Sequence, residues 1–163
     1  MAVEDSNNMG TGVEPPIEGM VDIKDKKTSR RVAIAEGTIF LNEESIRHIK
    51  EKTNPKGDVL ENAKLAGILA IKKTPELVFM CHPIKLRGTN INFDVEDTFV
   101  RMKVEVIAED TTGSEIEAMA GVMNGLLAIF DLSKRFEKDL DGLYPTARIT
   151  DVRVTHKIKE GLI

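Results

Sequence analysis

At Thr111-Thr112-Gly113-Ser114 the apolar period of the sequence changes from two to about 3.6, and that change constrains the fold more than any other feature. Before it, Ile91, Phe93 and Val95 alternate with polar residues, Glu96-Asp97 supplies a turn, and Phe99, Met102, Val104, Val106 and Ala108 alternate loosely again. That pattern predicts an antiparallel hairpin with one apolar face. After it, a helix is predicted from about Glu115 to Leu140, with Ile116, Met119, Ala120, Met123, Leu127, Phe130 and Leu132 assigned to its core side. A half-apolar sheet and a long half-apolar helix bury their surfaces by lying against each other in layers.

The upstream segments extend this scheme. Val32 to Leu41 is rich in β-branched residues and predicts a strand, with a bulge or turn at Glu36-Gly37. Asn42 is a good N-cap, and Glu43 and Glu44 suit the first turn of a short helix ending near Lys52. Asp58 with Glu61 resembles a capping box opening a second helix. That helix is apolar over most of its circumference, as in a buried helix, and Lys73-Thr74-Pro75 is expected to end or kink it. A last strand is predicted over Ala147 to His156. The order strand, two helices, strand, strand, helix, strand predicts an α+β fold, a ferredoxin-like antiparallel sheet backed by helices, with one additional helix. Residues 1–19, without an apolar period, are read as a flexible tail, and residues 20–163 as a single catalytic domain.

Composition narrows the function. The net charge of −4 argues against a nucleic-acid or membrane-surface binder, so an anionic ligand must be met by a local basic site. One Cys and three His leave few metal ligands and no internal disulfide, and the expected setting is the reducing cytoplasm. No stretch approaches the roughly 20 apolar residues of a membrane span, so no membrane association is expected.

Several polar residues invite chemistry. Glu117, Asn124 and Asp131 recur at seven-residue intervals on one face of the long helix, above Gly121 and Ala128. They read either as a solvated face or as a stripe beneath a cleft or a close partner. Glu115 and Glu117 diverge by about 200° on a helix and read as first-turn charges or as pocket residues. Pro83 holds His82 out of helical geometry, fixing its direction for a hydrogen bond or proton transfer, although a lone His is also a common structural residue. Nothing near Cys81 in the sequence lowers its thiol pKa. Lys56, before Gly57-Asp58, stands beside a helix N-terminus, where phosphate is favoured, or in a plain turn. The basic run Lys24 to Arg31 is a solvated segment or an arm toward a neighbour's phosphates.

In order along Met20 to Lys157, five motifs resemble the molybdenum cofactor biosynthesis protein C family, the cyclic pyranopterin monophosphate synthases. They are Lys56-Gly57-Asp58-Val59, Ala66-Gly67-Ile68, Met80-Cys81-His82-Pro83, Thr112-Gly113-Ser114-Glu115-Ile116-Glu117-Ala118 and Asp131-Leu132-Ser133-Lys134. Met20-Val21-Asp22-Ile23 also fits. The resemblance implies conversion of 3′,8-cyclo-7,8-dihydro-GTP to cyclic pyranopterin monophosphate with release of diphosphate. It implies a ferredoxin-like homohexamer, a trimer of dimers, with active sites at subunit interfaces.

By the same resemblance Lys56, Asp131 and Lys134 are catalytic, and Met80, Cys81, His82, Ile116 and Glu117 hold substrate, with Glu115, Arg31 and Lys157 as further pocket positions. No cofactor is implied as required, and Mg²⁺ is admitted only beside the triphosphate. The lysines and Arg31 are expected to neutralise the phosphates, with Lys56 or Lys134 shuttling protons at a lowered pKa and Asp131 orienting Lys134. Ile116 replaces the Met common in the family, and no Gly-Gly follows Lys157, where the family carries a mobile loop.

Overall fold

The computed structural model describes residues 19–161, so the tail expected over 1–19 lies almost wholly outside the described residues. The elements are β1 (Ser29–Phe40), α1 (Glu43–Glu51), α2 (Val59–Leu77), β2 (Leu86–Val95), β3 (Phe99–Asp110), α3 (Glu115–Glu137) and β4 (Arg148–Glu160). Their sequence matches the expected order, and the α+β class holds. The four strands form one sheet in the order β2-β3-β1-β4, antiparallel throughout, which is compatible with the ferredoxin-like layer.

β3 shows why the sheet is one-faced. Val100, Met102, Val104, Val106 and Ala108 are fully buried, while Arg101, Lys103 and their alternates face outward. A one-residue slip against β1 would expose those apolar side chains, at about 1.5–3 kcal/mol for each large one. The covering layer is supplied by Ala118, Val122, Leu126 and Ile129 of α3, which join the strands and α2 in one core. The bulge expected at Glu36-Gly37 is present in the pairing of β1 with β4, where the register shifts between Glu36 and Thr38. The pairing with β3 runs through it unbroken.

Three expectations are corrected. First, of the two outcomes expected at Pro75, an end there is excluded, since α2 runs two residues further to Leu77. Pro75 offers no N–H to the carbonyl of Ile71, but the buried Thr74 hydroxyl reaches that carbonyl at 3.2 Å and the carbonyl of Ala70 at 2.9 Å, so the helix continues. Second, the most buried row of α3 begins at Ala118; of the residues expected on the core side, Met119, Phe130 and Leu132 pack partly buried against the core, whereas Ile116, Met123 and Leu127 lie exposed. Third, α2 is buried on one side only, with Leu65 and Leu69 exposed. Both helices carry apolar residues on two faces, so periodicity did not identify the one turned to the sheet. By length and composition α3 would also serve as a membrane span, contrary to expectation, but half of that stretch is buried in the fold.

Replacing Thr74 by Val should destabilise the fold by about 1–3 kcal/mol in urea titration, because Ile71 loses its hydroxyl donor. Pro75→Ala supplies an N–H for that carbonyl, so the Thr74→Val penalty should be smaller in the Pro75→Ala background. Equal penalties would show that the hydroxyl does not substitute for the missing N–H.

Candidate active site

The residues singled out by sequence gather at the two ends of α3. At its C-terminal end lie Asp131 and Lys134, joined by Lys56 from the loop between α1 and α2. That loop is short and fixed at both ends. Lys52 closes α1 in the left-handed region (φ 56°), and the Asp58 side chain accepts the backbone N–H groups of Leu60 and Glu61 at the start of α2. Lys134 Nζ lies 2.6 Å from Asp131 Oδ1, and Lys56 Nζ lies 3.3 Å from Oδ2 and 3.2 Å from the Asp131 carbonyl oxygen. The hydrogen bond from Lys134, then that from Lys56, holds the Asp131 carboxyl below its ordinary range. Lys134 is held above its ordinary value by the Asp131 hydrogen bond and charge. This corrects the expectation of a lowered lysine pKa at Lys134: the ammonium is half-exposed beside a carboxylate, and both circumstances favour the charged form.

At the N-terminal end Glu117 is only 1% exposed. Its Oε1 accepts from the Cys81 thiol at 3.5 Å, and its Oε2 is buried without a partner. Burial raises the Glu117 pKa above its ordinary value. Burial first, then the Glu117 charge and hydrogen bond, pushes the Cys81 thiol up to about 11. Cys81 is therefore a thiol donor at neutral pH, not a nucleophile. The adjoining His82 is half-buried, whereas Met80 and Ile116 present exposed apolar surface.

Beside this group Glu115 pairs with Lys157. Burial pushes the Glu115 pKa up, but the hydrogen bond and charge of Lys157, helped by Arg31, outweigh it and hold it low. Arg31 also donates to the Thr111 carbonyl at 3.1 Å. Lys157 belongs to β4, which pairs with β1 as far as Glu160 in place of a loop. The register sets Lys159 opposite Arg31, and these two with Lys26 and Lys27 line a cleft of about 490 Å³ whose lining contains no carboxylate. Lys159 was missed in the sequence because only strand pairing brings it to Arg31.

The expected stripe along α3 is thus two separate sites. Glu117 and Asp131 are 14 residues apart, about 21 Å along a helix. The middle member, Asn124, donates to the Ala66 carbonyl of α2 at 2.7 Å. The space above Gly121 and Gly125 is filled: a Cβ on Gly121 would lie 2.9 Å from Ile71 Cγ1, and one on Gly125 would lie 2.4 Å from Met102 Cε and 3.1 Å from the Ala63 carbonyl oxygen. Gly121 and Gly125 serve helix packing within the chain, and Ala128 packs partly buried against the core. Among the described residues, no three of His, Cys, Asp and Glu converge as metal ligands.

The family model described as "MoaC family" matches residues 20–160. A protein of Pyrococcus abyssi named "Probable cyclic pyranopterin monophosphate synthase" is 49% identical over 140 residues, covering 86% of this chain and 88% of the relative. One of Archaeoglobus fulgidus with the same name is 42% identical over 151 residues, covering 93% and 97%. A Methanothermobacter thermautotrophicus protein, 44% identical over 140 residues and covering 86% and 88%, is named "Probable cyclic pyranopterin monophosphate synthase accessory protein".

Because the Glu117 pKa is raised on folding, the folded state binds its proton more tightly. Stability attributable to this group is present below the ordinary carboxylate pKa and is lost as pH rises through the raised value. Glu117→Gln should therefore be more stable than the parent at pH 7 and show less decline above the acid range, read from melting temperature against pH. A variant less stable than the parent at pH 7 would contradict this account of the buried carboxylate.

Proposed function

The chain belongs to the MoaC family, and on that premise we propose that it is a cyclic pyranopterin monophosphate synthase, a lyase of molybdenum cofactor biosynthesis. The substrate is (8S)-3′,8-cyclo-7,8-dihydroguanosine 5′-triphosphate, and the products are cyclic pyranopterin monophosphate and diphosphate. The observation that carries this reading is the meeting of Lys56, Asp131 and Lys134 from two parts of the chain at one point.

Forming the cyclic phosphate joins a substrate oxygen to the α-phosphorus and breaks the bond to diphosphate. The departing diphosphate takes the electron pair of the broken bond and gains charge, and the proton of the attacking hydroxyl passes to it. Lys134, held protonated, and Lys56 stabilise that developing charge, while Asp131, held ionised, orients both ammonium groups. Arg31 and its neighbouring lysines neutralise the remaining phosphates. At the other end of α3, Glu117 and Cys81, with the adjoining His82, are assigned to the ring. Met80 and Ile116 supply apolar contact, and Glu115 with Lys157 closes that side. Any Mg²⁺ enters with the triphosphate as part of the substrate.

One small molecule does not bridge about 21 Å within a single chain, so each pocket takes the Lys56 end of one copy and the Glu117 end of another. Support comes from apolar surface left uncovered: a groove of about 610 Å³ between α2, α3 and β4 is bordered by Leu77, Met123, Leu127 and Ile149. The assembly is a homohexamer built as a trimer of dimers, in the cytoplasm. A second reading is a module that binds such a ligand without turnover; the Methanothermobacter relative is named an accessory protein of the synthase. Incubation with the cyclised substrate separates the two readings: synthesis yields diphosphate and the cyclic pterin, whereas the module yields only bound ligand.

Lys56→Ala and Lys134→Ala should each lower turnover by about 10²-fold or more, with melting temperatures little changed because the ion pairs are solvated. Full turnover in both would remove the assignment. Lys56→Ala mixed with Glu117→Ala should regain activity that neither shows alone, since mixed assemblies contain pockets with both ends intact. A mixture as inactive as its components would place each pocket within one copy.

A further inference from the structure

The hydrogen bonds that Lys56 makes to Asp131 are long, and both side chains are about half-exposed, so the ion pair alone cannot fix the ammonium. What fixes Lys56 is its backbone. Asn54, only 7% exposed, accepts the Lys56 N–H through its side-chain oxygen at 2.9 Å, an Asx turn. The Asn54 carbonyl accepts the Gly57 N–H at 3.0 Å, closing a turn with Pro55 at its second position and Gly57 in positive φ at its end. The other half of the Asn54 amide points at α3: Nδ2 donates to the Leu132 carbonyl at 2.9 Å. Leu132 lies between Asp131 and Lys134, so one buried amide joins the turn carrying Lys56 to the helical turn carrying its two partners.

We propose that Asn54 is a positioning residue for the reaction, a clamp that sets the distance from Lys56 to Asp131 and Lys134 by bridging the Leu132 carbonyl and the Lys56 N–H. The proposal rests on the assignment of Lys56 to the chemistry. The amide is required because one end must accept and the other donate. Asp at this position keeps the Asx turn but sets a carboxylate oxygen against the Leu132 carbonyl, and Ala loses both contacts. Misplacement of a catalytic group by about 1 Å is enough to cost about 10²-fold in rate.

The experiment measures kcat and KM for conversion of the cyclised dihydro-GTP by the full chain, its Asn54→Ala and Asn54→Asp variants, Lys56→Ala, and Lys56→Ala combined with Asn54→Ala. Folding is followed in parallel by circular dichroism. Both Asn54 variants are expected to lose about 10- to 100-fold in kcat with KM changed less than about threefold, because the phosphates keep their other cations. In the Lys56→Ala background, Asn54→Ala should add no further loss, since its effect runs through Lys56. Wild-type kcat in Asn54→Asp, in a folded protein, would show that only the turn matters and would overturn the clamp. So would a further full loss in the double variant. An inactive parent chain would instead remove the functional assignment itself, and the two failures are thereby distinguished.

Discussion

The packing of α2 against α3 at near-backbone distance is the constraint on which the rest of the structure depends. Gly121 and Gly125 add no side chain of their own to the contact, and the side chains of Ile71 and Met102 and the Ala63 carbonyl occupy the space. Asn124 then fixes the register of the two helices through the Ala66 carbonyl. With α2 seated in this way, the loop before it arrives at the C-terminal end of α3 and the segment after it arrives at the N-terminal end. Lys56 meets Asp131, and Cys81 meets Glu117, because one contact between helices sets both ends.

The two ends use opposite electrostatics. Asp131 sits in solvent between two ammonium groups, which keep it ionised and strengthen the protonation of Lys134. Glu117 is buried with only a thiol for company, and its environment resists ionisation. One carboxylate is suited to ordering cations around phosphates, and the other to holding a ring through hydrogen bonds. The same residue type performs different work because burial sets the cost of its charge. The row from Lys157 to Arg31 and Lys159 joins the ring end to a cationic cleft, in a chain whose net charge is negative. The cationic surface is therefore local and built by strand pairing.

Much of this was legible from residue order. The alternation in β3 and the caps at Asn42 and Asp58 specify their elements directly, since each depends on neighbours within a few residues. The candidate site residues were legible as motifs. Their grouping was not. The seven-residue stripe suggested one polar face, but its members face different surroundings: one is buried, one is bonded to α2 and one is solvated. The protonation preference of Lys134 was also misjudged, because it depends on exposure, which spacing does not encode.

The sequence by itself determined the elements, their order and the identity of the chemical groups, because periodicity, capping and turn formation are local interactions. Only the tertiary structure decided which apolar face of α3 turns to the sheet, that α2 survives Pro75 through the Thr74 hydroxyl, and that Asn54 ties Lys56 to α3. Each of these turns on which buried polar group finds a partner and which apolar surface finds a cover. Those outcomes belong to segments far apart in the chain, brought together only when the helices close on the sheet.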